Sequence, residues 1–150
     1  MARREERWTD LGLLVLRVGF GLALLYFHGW SKLVGGPERW AGVGSAMEHL
    51  GIGFGHTVFG FLAAFGEAVG GILIAAGLFF RPVALLVAAT MFVAWFMHVA
   101  TGEGSPAHAF KNLWVALGLA LMGPGRYSID HWWRSRNQPP SIELERDIAE

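Results

Sequence analysis

The sequence predicts an all-α integral membrane protein, a bundle of four transmembrane helices with a short amphipathic helix between the first and second spans. Composition supports this, because hydrophobic residues make up 53% of the 150-residue chain. Charged residues make up only 16%, against about 25% in soluble domains. They concentrate in residues 1–10 and 126–150, which leaves long apolar runs between the two ends.

Four apolar runs are the expected spans. A hydrocarbon core of about 30 Å needs about 20 helical residues, and Leu11–His28, Val58–Phe80 and Val83–Val99 approach or meet that length. The fourth run, Leu113–Met122, is short by itself but extends back to Ala107. The acidic residues that precede the first run and the length of that run argue against a cleaved signal peptide. We therefore expect the first run to be a retained helix.

The distribution of basic residues predicts the orientation of the bundle. Eight basic residues fall on the predicted side of the two termini and three on the other side, and cytoplasmic loops carry the excess of lysine and arginine. We therefore expect both termini in the cytoplasm and the protein in the inner (cytoplasmic) membrane. A polar segment, residues 1–10, and a polar tail, residues 131–150, then flank the four-helix domain 11–130. If the fourth run does not span, the tail lies outside instead.

The connection between the first two spans has an apolar stripe of its own. Trp40, Val43, Met47 and Leu50 recur at helical spacing, and Gly51 follows as a helix end. This segment is either a helix on the outer membrane surface or a lid packed on the bundle. Small residues four apart predict close helix packing; the pairs are Gly19 with Ala23, Gly60 with Ala64, and Gly66 with Gly70.

Two charged residues lie at membrane depth. Arg17 is about 9 Å inside the first span, and Glu67 is near the middle of the second. An unpaired charge costs several kcal/mol in the bilayer, so the two residues are predicted to be partners. Such a pair either fixes the helix register, or it lines a cavity for a polar headgroup or carries protons. Alternatively Glu67 is protonated, or the two residues do not meet.

Histidines form a second set of candidates at the predicted outer side. His28 and Lys32 lie four residues apart on one helix face, and His98 lies at a similar level on the third span. With Glu48 or Glu103 they would form a polar pocket in which imidazole exchanges protons beside a quinone. Alternatively each histidine binds backbone or water. No pair has metal-ligand spacing such as HxxxH, so no metal site is predicted.

Composition also excludes several functions. The net charge is +0, which argues against a nucleic-acid-binding surface. The sequence contains no cysteine, which excludes disulfides, thiolate nucleophiles, iron–sulfur ligation and c-type haem attachment within this chain. Any sulfur chemistry would then belong to a partner or to the substrate.

Three segments together resemble the DoxX family of small four-helix membrane proteins: "LRVGFGLALLYFHGWSKL", "GEAVGGILIAAGLFFRPVALLVA" and "MGPGRYSID". The resemblance extends from about Leu11 to Asp130. In one respect the chain departs from it, because many relatives carry a glutamate near the start of the fourth helix, where this chain has Lys111 and Asn112. The shared positions are Arg17, Gly29, Lys32, Glu67, Gly70, Gly71 and the segment Gly123–Asp130.

The resemblance implies a membrane subunit of a quinone-linked redox complex that binds a quinone or a similar small ligand within the bundle. The candidate ligand-binding or buried polar residues are then Arg17, His28, Lys32, Glu67 and His98. The expected partners are the lipid bilayer, a soluble or membrane redox protein and further copies of the chain. The alternative is a non-catalytic scaffold or assembly factor for an oxidoreductase or stress-response complex. A transporter is less expected, because no span is clearly broken at mid-depth.

Overall fold

The computed structural model describes residues 2–137, and within them the chain is helical with no strand. This confirms the all-α prediction, while residues 138–150 of the expected tail lie outside the described part. The elements are α1 (Ala2–Ala23), a π-helical segment (Leu24–Gly29), α2 (Trp30–Leu33), α3 (Gly36–Gly44), a 3₁₀ segment (Ser45–Leu50), α4 (His56–Ala76), α5 (Phe80–Thr101), α6 (Pro106–Met122) and α7 (Ile129–Asn137).

Three helices are long and apolar enough to cross a membrane: Glu5–Leu33, His56–Ala76 and Phe80–Thr101. The first of these is continuous through the π-helical segment and α2. In contrast, α6 has 17 residues, which is about 26 Å of helix against a hydrocarbon core of about 30 Å. It packs along α5. Length and composition therefore identify three candidate spans, and the fourth stays a prediction.

Helix α4 is the central helix of the bundle and contacts α1, the π-helical segment, α2, α3 and α5. Its small residues allow these contacts. A Cβ on Gly71 would lie 2.5 Å from the carbonyl oxygen of Gly21, and a Cβ on Gly60 would overlap the carbonyl of Trp40. Gly66 and Gly70 instead lie against side chains of α5, including Val83. The prediction of close packing along the second span is thus confirmed.

The first span packs through different glycines from those predicted. Gly19 faces open space, and a Cβ added there would have no neighbouring atom within 4 Å. Gly21 and Gly29 make the close approaches instead, Gly21 to Gly71 and Gly29 to the backbone of Ala68. The four-residue spacing at Gly19 predicted the right kind of contact on the wrong face of the helix.

The outward faces of the helices are apolar, whereas the interior contains the closely packed core. Val15, Trp114 and Leu121 are exposed by 72%, 58% and 82%. Soluble monomers rarely expose contiguous apolar surface of this extent, so these faces suit lipid. The core cluster consists of Leu24, Ile74, Phe80, Val87, Ala88, Met91, Leu113, Ala116 and Leu119.

The connection between the first two spans packs on the bundle, as in the second of its two interpretations. Helix α3 lies along α4, and Gly44 meets the backbone of His56 there. Trp40 donates its ring N–H to the carbonyl of Lys32 at 3.0 Å, and its ring is 5.0 Å from that of Phe61. Gly51 ends the segment with φ 80°, as predicted.

Candidate functional site

Glu67 and Lys32 form an ion pair inside the bundle. The Glu67 side chain is 1% exposed, and both of its oxygens accept hydrogen bonds from Nζ of Lys32, at 2.8 and 2.7 Å. Helix α2 brings Lys32 to this position because Gly29, one turn earlier, packs directly on the backbone of Glu67 and Ala68. The lysine side chain is 26% exposed, so the pair lies at an opening of the bundle and not in a sealed core.

The π-helical segment Leu24–Gly29 sets the rotation of the residues that follow it. A π turn holds one residue more than an α turn, so Gly29 and Lys32 are rotated by roughly 100° relative to an uninterrupted α-helix. π turns of this kind are frequent at functional sites. The helical periodicity counted from Arg17 therefore does not predict which face Lys32 occupies.

Two histidines lie within electrostatic range of the ion pair. His28, in the π-helical segment, is half-buried, and it is within range of the charged groups of Glu67 and Lys32 and of His108. His108 is exposed in the first turns of α6. We call Glu67, Lys32, His28 and His108 the Glu67 cluster. It combines the hydrogen-bonded Lys32–Glu67 pair with two imidazoles within electrostatic range, from four elements, and these groups can bind and protonate a polar group.

His98 is held by the loop that follows α5. Its Nδ1–H donates to the carbonyl oxygen of Glu103 at 2.7 Å, and Gly104 lies against its ring. The backbone-bonded interpretation therefore describes this residue. The two acids expected at this pocket do not bring their carboxylates to His28 or His98. The Glu48 carboxylate lies 3.3 Å from His56, and Glu103 accepts the His98 hydrogen bond through its backbone carbonyl.

The predicted pairing of Arg17 with Glu67 is wrong. Arg17 is 2% exposed, and its guanidinium donates to the carbonyl oxygen of Tyr127, in the segment after α6. It lies against Gly77 and Ser128, where a Cβ on Gly77 would overlap Nη1. The negative end of the α4 dipole stabilises a cation at this position, because α4 ends at Ala76. Within the described residues its Nε and Nη1 have no hydrogen-bond partner.

The helix register explains why the two charges do not meet. Along the contact of α1 with α4, Gly21 faces Ala75 and Leu25 faces Gly71, while Gly29 faces Glu67. Arg17 precedes Gly29 by twelve residues, which is about 18 Å along the helix. Depth counted from the ends of the apolar runs was misleading because the first helix continues to residue 33, beyond the run that ends at His28.

The segment after α6 anchors the turn between α4 and α5. The Asp130 carboxylate accepts hydrogen bonds from the N–H groups of Phe79 at 3.0 Å and Phe80 at 2.9 Å, so it caps α5. The N–H of Asp130 in turn donates to the carbonyl of Gly77 at 3.0 Å. Arg17 and this segment both belong to the positions shared with the DoxX family. That was the signal in the sequence that they act together.

The donor set does not form a metal site. Between residues 2 and 137, no three His, Asp or Glu side chains are close enough to hold a metal ion.

Comparison with known proteins identifies the family. The sequence model of the DoxX family matches residues 12–100, which is more than half of the chain. The chain belongs to the DoxX family. The matched range contains Arg17, His28, Lys32, Glu67 and His98, whereas α6, His108 and Asp130 lie beyond it. No curated protein and no solved structure matches this DoxX protein. Family membership and the three apolar helices together make it a membrane protein.

Proposed function

We propose that this DoxX protein is the membrane subunit of a quinone-linked redox complex, and that the Glu67 cluster receives the quinone headgroup. The observation that carries the proposal is the Lys32–Glu67 ion pair, which is buried on its carboxylate side and partly open on its lysine side. Buried, hydrogen-bonded ionisable groups inside a membrane bundle are expensive and mark functional sites.

The chemistry of the Glu67 cluster suits a quinone. The two carbonyl oxygens of a quinone accept hydrogen bonds, and the Lys32 ammonium and the His28 imidazole are donors. Reduction to the quinol takes up two electrons and two protons, and imidazole is the side chain suited to passing protons near neutral pH. The electrons come from a redox partner protein, since this chain has no thiol to oxidise.

The surroundings of the Glu67 cluster suit the rest of such a ligand. Tyr26, Phe27 and Trp30 lie in or beside the π-helical segment and are exposed by 79%, 72% and 59%. The rings of Tyr26 and Phe27 are in edge contact with centroids 5.0 Å apart, and an isoprenoid tail in the bilayer would pass along these exposed rings. The headgroup then makes polar contacts at the opening of the bundle, while the tail stays in lipid.

One observation favours the scaffold function as a second candidate. Both buried charges are bonded within the chain, Glu67 to Lys32 and Arg17, through one guanidinium nitrogen, to the carbonyl of Tyr127. In that function the charges only hold the helix register and the carboxyl-terminal segment, and the protein serves as a platform for an oxidoreductase or stress-response complex.

Quinone binding by protein in lipid nanodiscs separates the two functions. We expect a short-chain benzoquinone to quench the tryptophan fluorescence saturably. The affinity should be about tenfold weaker in Lys32→Met, which loses a charge-assisted donor, and in Glu67→Gln, which loses the carboxylate that positions that donor. Glu103→Gln is the matched control, because this loop contributes its carbonyl to His98 and not its carboxylate. Equal quinone affinity in all variants, with lowered thermal stability of Glu67→Gln and Lys32→Met but not of Glu103→Gln, would instead support the scaffold.

A further inference from the structure

The opposite end of the bundle from the Glu67 cluster contains two adjoining cavities. The first, of about 370 Å³, is lined by Arg7 and Asp10 from α1, by Arg126 and Tyr127, and by His131 from α7. The second, of about 270 Å³, shares three of these residues and adds Arg81 and Arg134. The site thus draws on four separate parts of the chain.

The charge of these cavities is strongly positive. Four guanidinium groups face a single carboxylate, that of Asp10. Asp10 is itself engaged, because its Oδ1 accepts a hydrogen bond from the backbone N–H of Arg126 at 3.0 Å. The buried Arg17 adds a further positive charge directly behind the wall, where it donates to the carbonyl of Tyr127. The lining therefore suits an anion.

Aromatic residues place the two cavities at the level of lipid headgroups. Trp8 on α1 is 65% exposed, and Trp132 and Trp133 on α7 are exposed by 52% and 53%. Tryptophan and tyrosine are enriched at membrane–water interfaces, where one part of the ring system is in lipid and the other in water. Tyr127, which is 47% exposed, lines the first cavity itself. An anion bound here is at the depth of a phospholipid phosphate.

We propose that the two cavities bind the phosphodiester headgroup of an anionic phospholipid. Guanidinium groups recognise phosphate oxygens through paired N–H donors, and basic pockets between membrane helices take up anionic headgroups. Arg126 lines both cavities and is the central contact, while Arg81 in the first turn of α5 and Arg134 in α7 line the second cavity. The acyl chains lie on the apolar outer faces of the helices.

Lipid binding by protein purified in a neutral detergent tests this site. Native mass spectrometry is used to titrate phosphatidylglycerol, phosphatidylcholine with the same acyl chains, and inorganic phosphate alone. We expect saturable binding of phosphatidylglycerol only. Arg126→Gln should weaken it about tenfold, the cost of one charge-assisted contact. The control is Arg136→Gln, because Arg136 is on α7 but outside the cavity lining, 4.3 Å over the Trp132 ring; its affinity should stay within about twofold.

Three results would overturn the proposal. Equal weakening by Arg126→Gln and Arg136→Gln would show a diffuse basic surface in place of a built site. Equal binding of phosphatidylcholine would remove the role of headgroup charge, and tight binding of inorganic phosphate would assign the cavities to a free anion. Since the Arg126 side chain is exposed, its replacement should leave the helical circular dichroism unchanged. Arg81→Gln provides a second variant, with the same expected loss.

Discussion

The ion pair of Lys32 with Glu67 is asymmetric in its exposure, which decides how each partner responds to loss of the other. Glu67 is 1% exposed and cannot reach water without opening the bundle. Lys32 is 26% exposed and has a long flexible stem, so its ammonium can turn toward the membrane interface. Removing the lysine therefore leaves a buried charge, whereas removing the acid leaves a lysine that finds solvent.

We predict that Lys32→Met destabilises the protein more than Glu67→Gln does. Loss of one partner of a buried pair costs about 3–5 kcal/mol, and the lysine's route to the interface should reduce that cost in Glu67→Gln. The double variant should recover most of the stability, since replacing both charges is often near neutral. Thermal unfolding in detergent, monitored by circular dichroism, measures which variant loses more stability.

Lys111→Met is the control for this stability series, because Lys111 is exposed on α6. It should leave the unfolding temperature essentially unchanged. Equal losses in Lys32→Met and Glu67→Gln, with no recovery in the double variant, would contradict the assigned asymmetry.

Among the secondary-structure elements, the contact of α1 with α4 sets the position of every intramembrane charge. Gly21 and Gly71 bring the two backbones together, and the π-helical segment then turns Gly29 against Glu67. Close backbone approach through small residues is the usual basis of helix packing in lipid, where no hydrophobic force drives helices together. Widening this contact should therefore disturb both the Glu67 cluster and the Arg17 site.

We predict that Gly21→Ala destabilises the bundle and that Gly19→Ala does not. A Cβ on Gly21 would overlap the carbonyl oxygen of Gly71, whereas a Cβ on Gly19 meets open space. Alanine is also favoured over glycine in a helix by about 1 kcal/mol, so Gly19→Ala should be neutral or slightly stabilising. The two unfolding temperatures in the same detergent measure this difference. A loss of stability in both variants would mean that the packing face is not the one described.

For the whole molecule, the topology depends on whether α6 crosses the membrane. Its 17 residues are about 26 Å of helix, and it packs along α5, which is long enough to span. Local thinning of the bilayer accommodates a mismatch of this size at modest cost. The sequence expectation of four spans with both termini in the cytoplasm requires that the two ends of α6 lie on opposite sides.

We predict that cysteines placed at Ser105 and Ser135 react from opposite sides of the membrane. Ser105 directly precedes α6 and Ser135 lies in α7, so together they bracket the helix in question. The chain has no cysteine of its own, which makes single-cysteine labelling unambiguous. A membrane-impermeant maleimide should label Ser105→Cys in intact cells and Ser135→Cys only in inverted vesicles. Labelling of both from the same side would show that α6 does not span.

The sequence by itself determined the class of the protein, because a helix that spans the bilayer must be apolar over its length, and this requirement is visible in the composition. Apolar runs near the length of the hydrocarbon core and charges collected at the ends predict membrane helices without reference to contacts. The same local logic predicted the stripe that begins at Trp40, the helix end at Gly51, and Arg17 and Glu67 as charges that need partners.

Only the tertiary structure decided which partners those charges have. Sequence spacing measures depth along one helix, but pairing depends on the register and rotation of two helices against each other. The Gly21–Gly71 contact sets that register and the π-helical segment sets the rotation, and neither is encoded in a 3.6-residue period. Lys32 consequently takes the place at Glu67 that was predicted for Arg17, and Arg17 holds the segment that follows α6.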